Sequence, residues 1–158
     1  MAPRPALAKI VSGGQTGVDR AALDAALHLG IPCGGWCPRG RRAEDGAIPS
    51  RYPLVETPTA RYPQRTEWNV RDSDGTLVLH AGRPRGGTAL TLRLLARKRK
   101  PVLRLDLEES PDPRALTEWI AREEIRVLNV AGPRESECPG VGTRAKRFLE
   151  EALRPLRT

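Results

Sequence analysis

Residues Ala8 to Leu29 read A-K-I-V-S-G-G-Q-T-G-V-D-R-A-A-L-D-A-A-L-H-L, and the fold is decided there. Lys9 to Ser12 reads as a short buried strand. Val18, Ala21, Ala22, Ala25, Ala26 and Leu29 then recur along one face at helical spacing. Gly13, Gly14 and Gly17 stand between the two. A strand that turns on glycines straight into a helix leaves backbone N–H groups unpaired at the helix start. Those donors and the helix dipole together favour an anion. The small alanine face suits a helix lying close on a sheet. Gly30 is expected to end the helix in the left-handed conformation, and Pro32 prevents its return.

The same alternation continues along the chain. Residues 31–36 (I-P-C-G-G-W) read as a second strand, and 37–63, rich in Pro, Gly and Arg, as a long irregular functional loop without any period. A short helix is expected over 64–72, with Trp68 on its inner side. The clearest strand is 75–80 (G-T-L-V-L-H), followed by a second glycine turn at 82–87 and a helix over 88–100. A strand over 102–107 comes next. Asp112 and Pro113 then form an N-cap and first helical residue. A fifth strand covers 125–130. The last helix buries Val141, Ala145, Phe148, Leu149 and Ala152. Strands alternating with helices predict an α/β fold in one domain over 1–158. Its core would be an open, mainly parallel sheet of about five or more strands with helices on both faces. The loops after the strands at 9–12, 75–80 and 125–130 then share the carboxyl edge of the sheet.

Lys and Arg number 27 against 19 acids, a formal charge of +8, which suits either an anionic partner or a solvated basic surface. Aromatic residues make up 4% of the chain, too few for the stacking platforms of a single-strand binder, so nucleic acid is disfavoured as a partner. No apolar run approaches a membrane span and residues 1–8 lack a signal-like core, which predicts a cytoplasmic protein. Cys33, Cys37 and Cys138 form an odd set, and His28 and His80 are the sole histidines. Direct Cys/His ligation of a metal is therefore not expected, because a closed site needs four ligands.

Three loops carry the chemistry. The first, S-G-G-Q-T-G-V-D-R, has Ser12 where a dinucleotide fingerprint needs its first glycine, and Gly34, Gly35 and Trp36 stand where that motif needs an acid. No G-K-S/T follows, so a Walker loop fails as well. A phosphate-sized cradle remains, formed by Gly13, Gly14, Gln15, Thr16 and Gly17. Asp19 and Arg20 either orient a ligand there, or Asp19 caps the helix. A β-branched residue at Gly14 is expected to abolish anion binding and leave the fold intact. The second loop brings Gly86, Gly87 and Thr88 to a helix start. The basic run Arg97 to Lys100, at that helix's far end, suits its dipole. The third offers Asn129, Gly132, Arg134 and Ser136, with Arg134 a candidate clamp because its planar fork matches oxyanions.

Together, S-G-G-Q-T-G-V-D-R-A-A-L-D-A-A, G-G-W-C-P-R-G-R-R-A-E-D-G-A-I-P, R-T-E-W-N-V-R-D-S-D-G-T-L and N-V-A-G-P-R-E-S span Lys9 to about Leu153. The chain resembles the family of so-called molybdenum carrier proteins, a branch related to bacterial YpsA, the lysine-decarboxylase-like phosphoribohydrolases and the DNA-processing protein DprA. The resemblance implies a Rossmann-like fold and a homo-oligomer (dimer or tetramer). It also implies a small anionic ligand at the glycine loops, namely molybdenum cofactor, molybdate or a nucleotide. Trp36 or Trp68 would face a pterin ring, and Arg39, Asn69 and Asp72 would complete the ligand set. The alternative is a nucleotide N-glycosidase. The phosphoribohydrolase relatives use a P-G-G-x-G-T-x-x-E loop; here the comparable run is R-G-G-T-A-L-T, with Thr91 near the place of the acid. A carboxylate would have to come from elsewhere, with Glu44, Asp45, Glu67 and Asp72 as candidates.

Overall fold

The computed structural model describes residues 7–156. Five parallel strands form the central sheet: β1 (Lys9–Val11), β2 (Cys33–Gly34), β7 (Gly75–His80), β8 (Val102–Asp106) and β9 (Val127–Ala131), in the order β2-β1-β9-β7-β8. Strand β9, last in sequence, lies between β1 and β7, pairing Ile10 with Leu128 and Leu77 with Val130. Every residue of β7 is buried. Strand alternation sends Leu77 and Leu79 into one layer and Val78 into the other.

The first layer holds α1 (Val18–Leu29), α4 (Pro113–Arg122) and α5 (Val141–Leu153), with α1 packed on α5 and α4 also packed on α5. The α1 stripe of Ala21, Ala22, Ala25 and Ala26 is buried, and small side chains let the helix axis come close to sheet and neighbour. Gly30 closes α1 at φ 72°, its N–H reaching the carbonyls of Ala26 and Leu27. Asp112 caps α4, its carboxylate accepting from the Arg114 amide at 2.9 Å. The second layer holds α2 (Tyr62–Arg71) and α3 (Gly86–Arg97). No helix of the described residues is long and apolar enough to cross a membrane.

The structure corrects the sequence reading at several points. The expected second strand breaks into β2 and β3 (Trp36–Cys37), because Gly35, at φ 123°, turns the chain where an added Cβ would meet the Ser12 carbonyl at 2.5 Å. Strand β3 then pairs with β6 (Val55–Glu56), and β4 (Arg42–Ala43) with β5 (Gly46–Ala47), so residues 37–63 are less irregular than their composition suggests. They enclose a second apolar cluster of Cys37, Ala43, Ile48, Tyr52 and Leu54 against Leu23 of α1. Arg41 organises it. Its guanidinium donates to the carbonyls of Ile48 (3.1 Å), Pro49 (2.8 Å), Tyr52 (2.8 Å) and Leu54 (3.3 Å).

Helix α2 buries Arg65, Asn69 and Val70; Trp68 is half-buried, edge-on to Trp36 with ring centroids 4.7 Å apart. Lys100 serves a different helix from the one expected. Its Nζ donates to the carbonyls of Val70 (3.1 Å), Arg71 (2.5 Å) and Ser73 (2.7 Å), satisfying the end of α2.

Replacing Arg41 by Met removes four charge-assisted hydrogen bonds and leaves loop carbonyls unsatisfied, at a cost of about 3 kcal/mol. Urea unfolding of Arg41→Met should show this loss. Arg39→Met, whose side chain is exposed, should unfold like the unmodified chain.

Candidate functional site

The sheet order makes the site. Strand β1 leads outward through α1 to β2, and β7 leads the opposite way through α3 to β8, so the carboxyl ends of β1, β9 and β7 border a switch point. A cavity of about 90 Å³ opens there. Gly13, Gln15 and Asp19 reach it from the first turn, Asn69 from α2, Gly87 and Thr88 from the start of α3. Asn129, Gly132 and Arg134 reach it from β9 and its loop. Three turns distant in sequence therefore do meet.

Glycines permit the meeting. A Cβ on Gly17 would stand 2.4 Å from the Pro133 carbonyl, and one on Gly132 2.2 Å from that of Leu79. The Val18 amide donates to Pro133 (3.2 Å), joining the first turn to the third. Gly14 has a different job from the one its sequence position suggested. At φ 77° its added Cβ would strike Leu54 at 2.5 Å and Ile48 at 2.8 Å, so a β-branched residue there would disrupt the second apolar cluster itself.

The first turn is largely filled by the protein's own groups. The Asp19 carboxylate accepts the Gln15 amide at 3.2 Å and lies near that of Gly13; it does not cap α1, whose N-cap is Gly17. The Gln15 side-chain oxygen accepts the amides of Thr16 (3.1 Å) and Glu44 (2.8 Å). Glu44 takes the Thr16 hydroxyl and the Ser136 amide (3.2 Å) and hydroxyl (2.5 Å). Burial opposes its ionisation, but those hydrogen bonds from Ser136 and Thr16 outweigh it and hold its carboxyl below the usual value. Arg20 is bound to both carboxylate oxygens of Asp45 (2.5 and 2.7 Å) and to the Gly14 carbonyl. At α5, Glu135 takes the amides of Gly140 (2.5 Å) and Gly142 (3.1 Å).

The start of α3 is different. No side chain caps it, Gly86 and Gly87 are exposed, and the Thr88 hydroxyl is buried without a hydrogen-bond partner. Among the described residues it is the sole such buried side-chain atom. A buried hydroxyl without a partner costs about 1–3 kcal/mol, so its persistence calls for an explanation. Beside it the Glu137 carboxylate lies against Gly86, with Oε1 2.8 Å from where a Cβ would be, and accepts from Arg134 Nε at 3.0 Å.

Two charged site residues escaped the sequence reading. Arg65 of α2, 8% exposed, donates to the Gly13 carbonyl at 2.8 Å and stacks 5.0 Å over the Tyr62 ring. Arg65 and Asn69 stand one helical turn apart on the same buried face of α2, a spacing the sequence shows without showing the burial. The other is Glu137, on the loop that carries Arg134. Asn69 pins β3 through Trp36, its Oδ1 accepting the amide (2.8 Å) and its Nδ2 donating to the carbonyl (3.0 Å); Asn129 donates to the Thr76 hydroxyl (3.2 Å). Trp36, Arg39 and Asp72 do not reach the cavity. Trp36 donates its indole N–H to Asp72 at 2.8 Å, and both line a separate groove beside Val55. Arg39 is exposed near Thr59.

Nor do the other acids considered from sequence line the cavity: Asp45 is tied to Arg20, and Glu67 is exposed near Lys98 (4.0 Å). The acids that line it are Asp19 and Glu137. Burial pushes the Asp19 carboxyl up to about 6, against the pull of Arg65. Because the native state holds this proton more tightly than the unfolded chain, ionising Asp19 costs stability as pH rises from the ordinary 3.8 to about 6.

Residues 10–153 match the model of the circularly permuted YpsA SLOG family. The chain is also similar to the crystal structure of a protein of Syntrophus aciditrophicus SB that bears the provisional name molybdenum carrier protein. The two share 47% identity, at a TM-score of 0.90, over 96% of this chain and 98% of that one. Among curated proteins none matches.

Asp19 supplies a pH test of any anion held in this cavity. Above its pKa of about 6 it is negative and repels the guest, and below it is neutral. Affinity for sulfate, whose own charge is constant, should rise roughly tenfold as pH falls from about 7.5 to about 5. Titration calorimetry on Asp19→Asn should show the high affinity at both ends; a rise that persists in this variant would exclude Asp19 as its source.

Proposed function

The chain belongs to the circularly permuted YpsA SLOG family, and on that premise we propose that it binds and carries a phosphate-bearing or oxyanion ligand seated at the start of α3. One observation carries this reading: Thr88, at an uncapped helix start, lines the cavity at the switch point and holds a buried hydroxyl without a partner. The hydroxyl and the first amides of α3 are donors held in place for an acceptor, and the helix dipole favours a negative one. Arg134 stands close enough to trade Glu137 for an oxyanion. Arg65 adds a buried positive charge below.

Molybdate or the phosphate arm of molybdenum cofactor is the ligand we favour, by the name of the similar Syntrophus protein. Among the described residues no cluster of three or more His, Cys, Asp or Glu side chains is placed to hold a metal ion directly. Molybdenum would then be carried through its oxygens or its organic part. Tyr62, on the cavity wall under Arg65, takes over the ring-facing role that the sequence reading gave to Trp36 or Trp68, neither of which lines the cavity.

A second reading has its own observation. Asp19, with its carboxyl raised to about 6 inside the cavity, suits a general acid. In an N-glycosidase it would protonate the departing base as the bond to the sugar carbon breaks, and water would add to that carbon. Incubation with nucleoside monophosphates tests this: free base released by the unmodified chain and absent with Asp19→Asn would favour the enzyme.

Thr88→Val keeps the shape of the side chain and removes the donor. Molybdate affinity should fall about tenfold, while thermal stability should hold or rise by about 1 kcal/mol, because an unsatisfied polar group is gone. Unchanged affinity would sink the proposed seat. Glu137→Gln, which removes the competing carboxylate, should raise affinity several-fold in the same titration.

A further inference from the structure

The net positive charge of the chain lies in one stretch. Residues 75–105, which run from β7 through α3 to β8, hold eight of the 27 Lys and Arg residues and no acid. The remainder balances nineteen cations against 19 acids, so this unit alone accounts for the formal +8. It ends at the margin of the sheet, where β8 pairs with β7 and, among the described residues, with no other strand. Lys100 is used within the fold, and Lys98 stands 4.0 Å from Glu67. Arg83, Arg85, Arg93, Arg97, Arg99 and Arg104 are all exposed. Among the described residues they have no part in the ion pairs that engage Arg20, Arg71, Arg114, Arg122 and Arg134.

The free cations surround aliphatic surface. Leu90, Arg93 and Arg97 recur along one face of α3, and Leu90 is 39% exposed. On β8, Leu103 and Leu105 pack into the first layer, so alternation turns Val102 and Arg104 toward the α3 side. Val102 is 37% exposed there, because α3 leaves the outer margin of β8 bare.

We infer that this margin is a docking surface for an acidic protein, which sets carboxylates against Arg93, Arg97 and Arg104 and an apolar side chain against Leu90 and Val102. Arginines around a small apolar centre have the composition of a protein–protein contact. Residues 75–105 contain no Phe, Trp or Tyr, so a nucleic-acid strand finds nothing to stack on. Charge opposes a second copy joined by a two-fold axis, since such a contact puts the same arginines opposite each other. A head-to-tail copy would have to offer the acidic residues 106–124, where Asp106 and Asp112 already hold the amides of Glu108 and Arg114. The opposite charge therefore comes from a different protein, and complementarity of this kind fixes orientation and speeds encounter. Helix α3 starts at the cavity and ends in this surface, so a docked partner stands beside the site whatever ligand the cavity takes.

The test uses the full chain and a dye-labelled synthetic peptide in which leucines are spaced between glutamates, titrated by fluorescence anisotropy. Affinity should fall about tenfold in Arg93→Glu/Arg97→Glu and return when the peptide glutamates are exchanged for lysines. Arg126→Glu/Arg147→Glu loses the same charge from exposed cations outside the surface and should bind like the unmodified chain. Val102→Thr should weaken binding several-fold, a difference that vanishes when serines replace the peptide leucines. Equal losses in the two double variants, or a peptide that does not bind the unmodified chain, overturn the surface. A DNA duplex of equal charge that binds more tightly than the peptide, and is released by Arg93→Glu/Arg97→Glu, overturns the protein partner in favour of nucleic acid. An oligomer of the unmodified chain that Arg93→Glu/Arg97→Glu converts to monomer in sedimentation velocity overturns it in favour of a second copy.

Discussion

Backbone lying on backbone is the constraint from which the rest follows. Gly17 passes so near the Pro133 carbonyl, and Gly132 so near that of Leu79, that no side chain fits between. Those two approaches lock the turn after β1 to the loop after β9, and the loop after β9 to the end of β7. The insertion of β9 between β1 and β7 makes such neighbours of segments roughly fifty and more than a hundred residues apart. Without that order the glycine turns would be ordinary strand-to-helix connections. With it they enclose a cavity.

A basic chain has surrounded this cavity with its own acids. Asp19 takes an amide of the first turn, Glu44 the polar groups of Thr16 and Ser136, Glu135 the start of α5, and Glu137 the flank of Gly86. Three of these satisfy donors that would otherwise attract anions at several places. The start of α3 keeps its donors, and there the nearby carboxylate is held by an arginine suited to exchanging it. On the proposed function, selectivity for one seat would follow from internal plugging of the others.

The sequence was readable where order is local and periodic. The run G-T-L-V-L-H is apolar because β7 is covered on both sides, and the alanine stripe of α1 announces its packed face. Gly86 to Thr88 was legible for the same reason, as a strand, a glycine turn and a helix in succession. Residues 37–63 were not, because Arg41 orders them through carbonyls that follow no repeat. Arg65 was missed because a buried arginine on a short helix looks like a solvated one until its partner, the Gly13 carbonyl across the sheet edge, is seen. Asp19 was read from sequence as a ligand-orienting or helix-capping acid, and its raised carboxyl was not foreseen, since that depends on burial contributed by distant segments.

Tungstate, isosteric with molybdate and a strong anomalous scatterer, reports the position of the guest directly. Crystals soaked in it should show an anomalous peak within hydrogen-bond reach of the Thr88 hydroxyl and the first amides of α3, with the Glu137 carboxylate displaced. A peak at the first glycine turn instead, or none in the cavity at a concentration that saturates the protein in solution, would contradict the assignment of α3 as the anion seat.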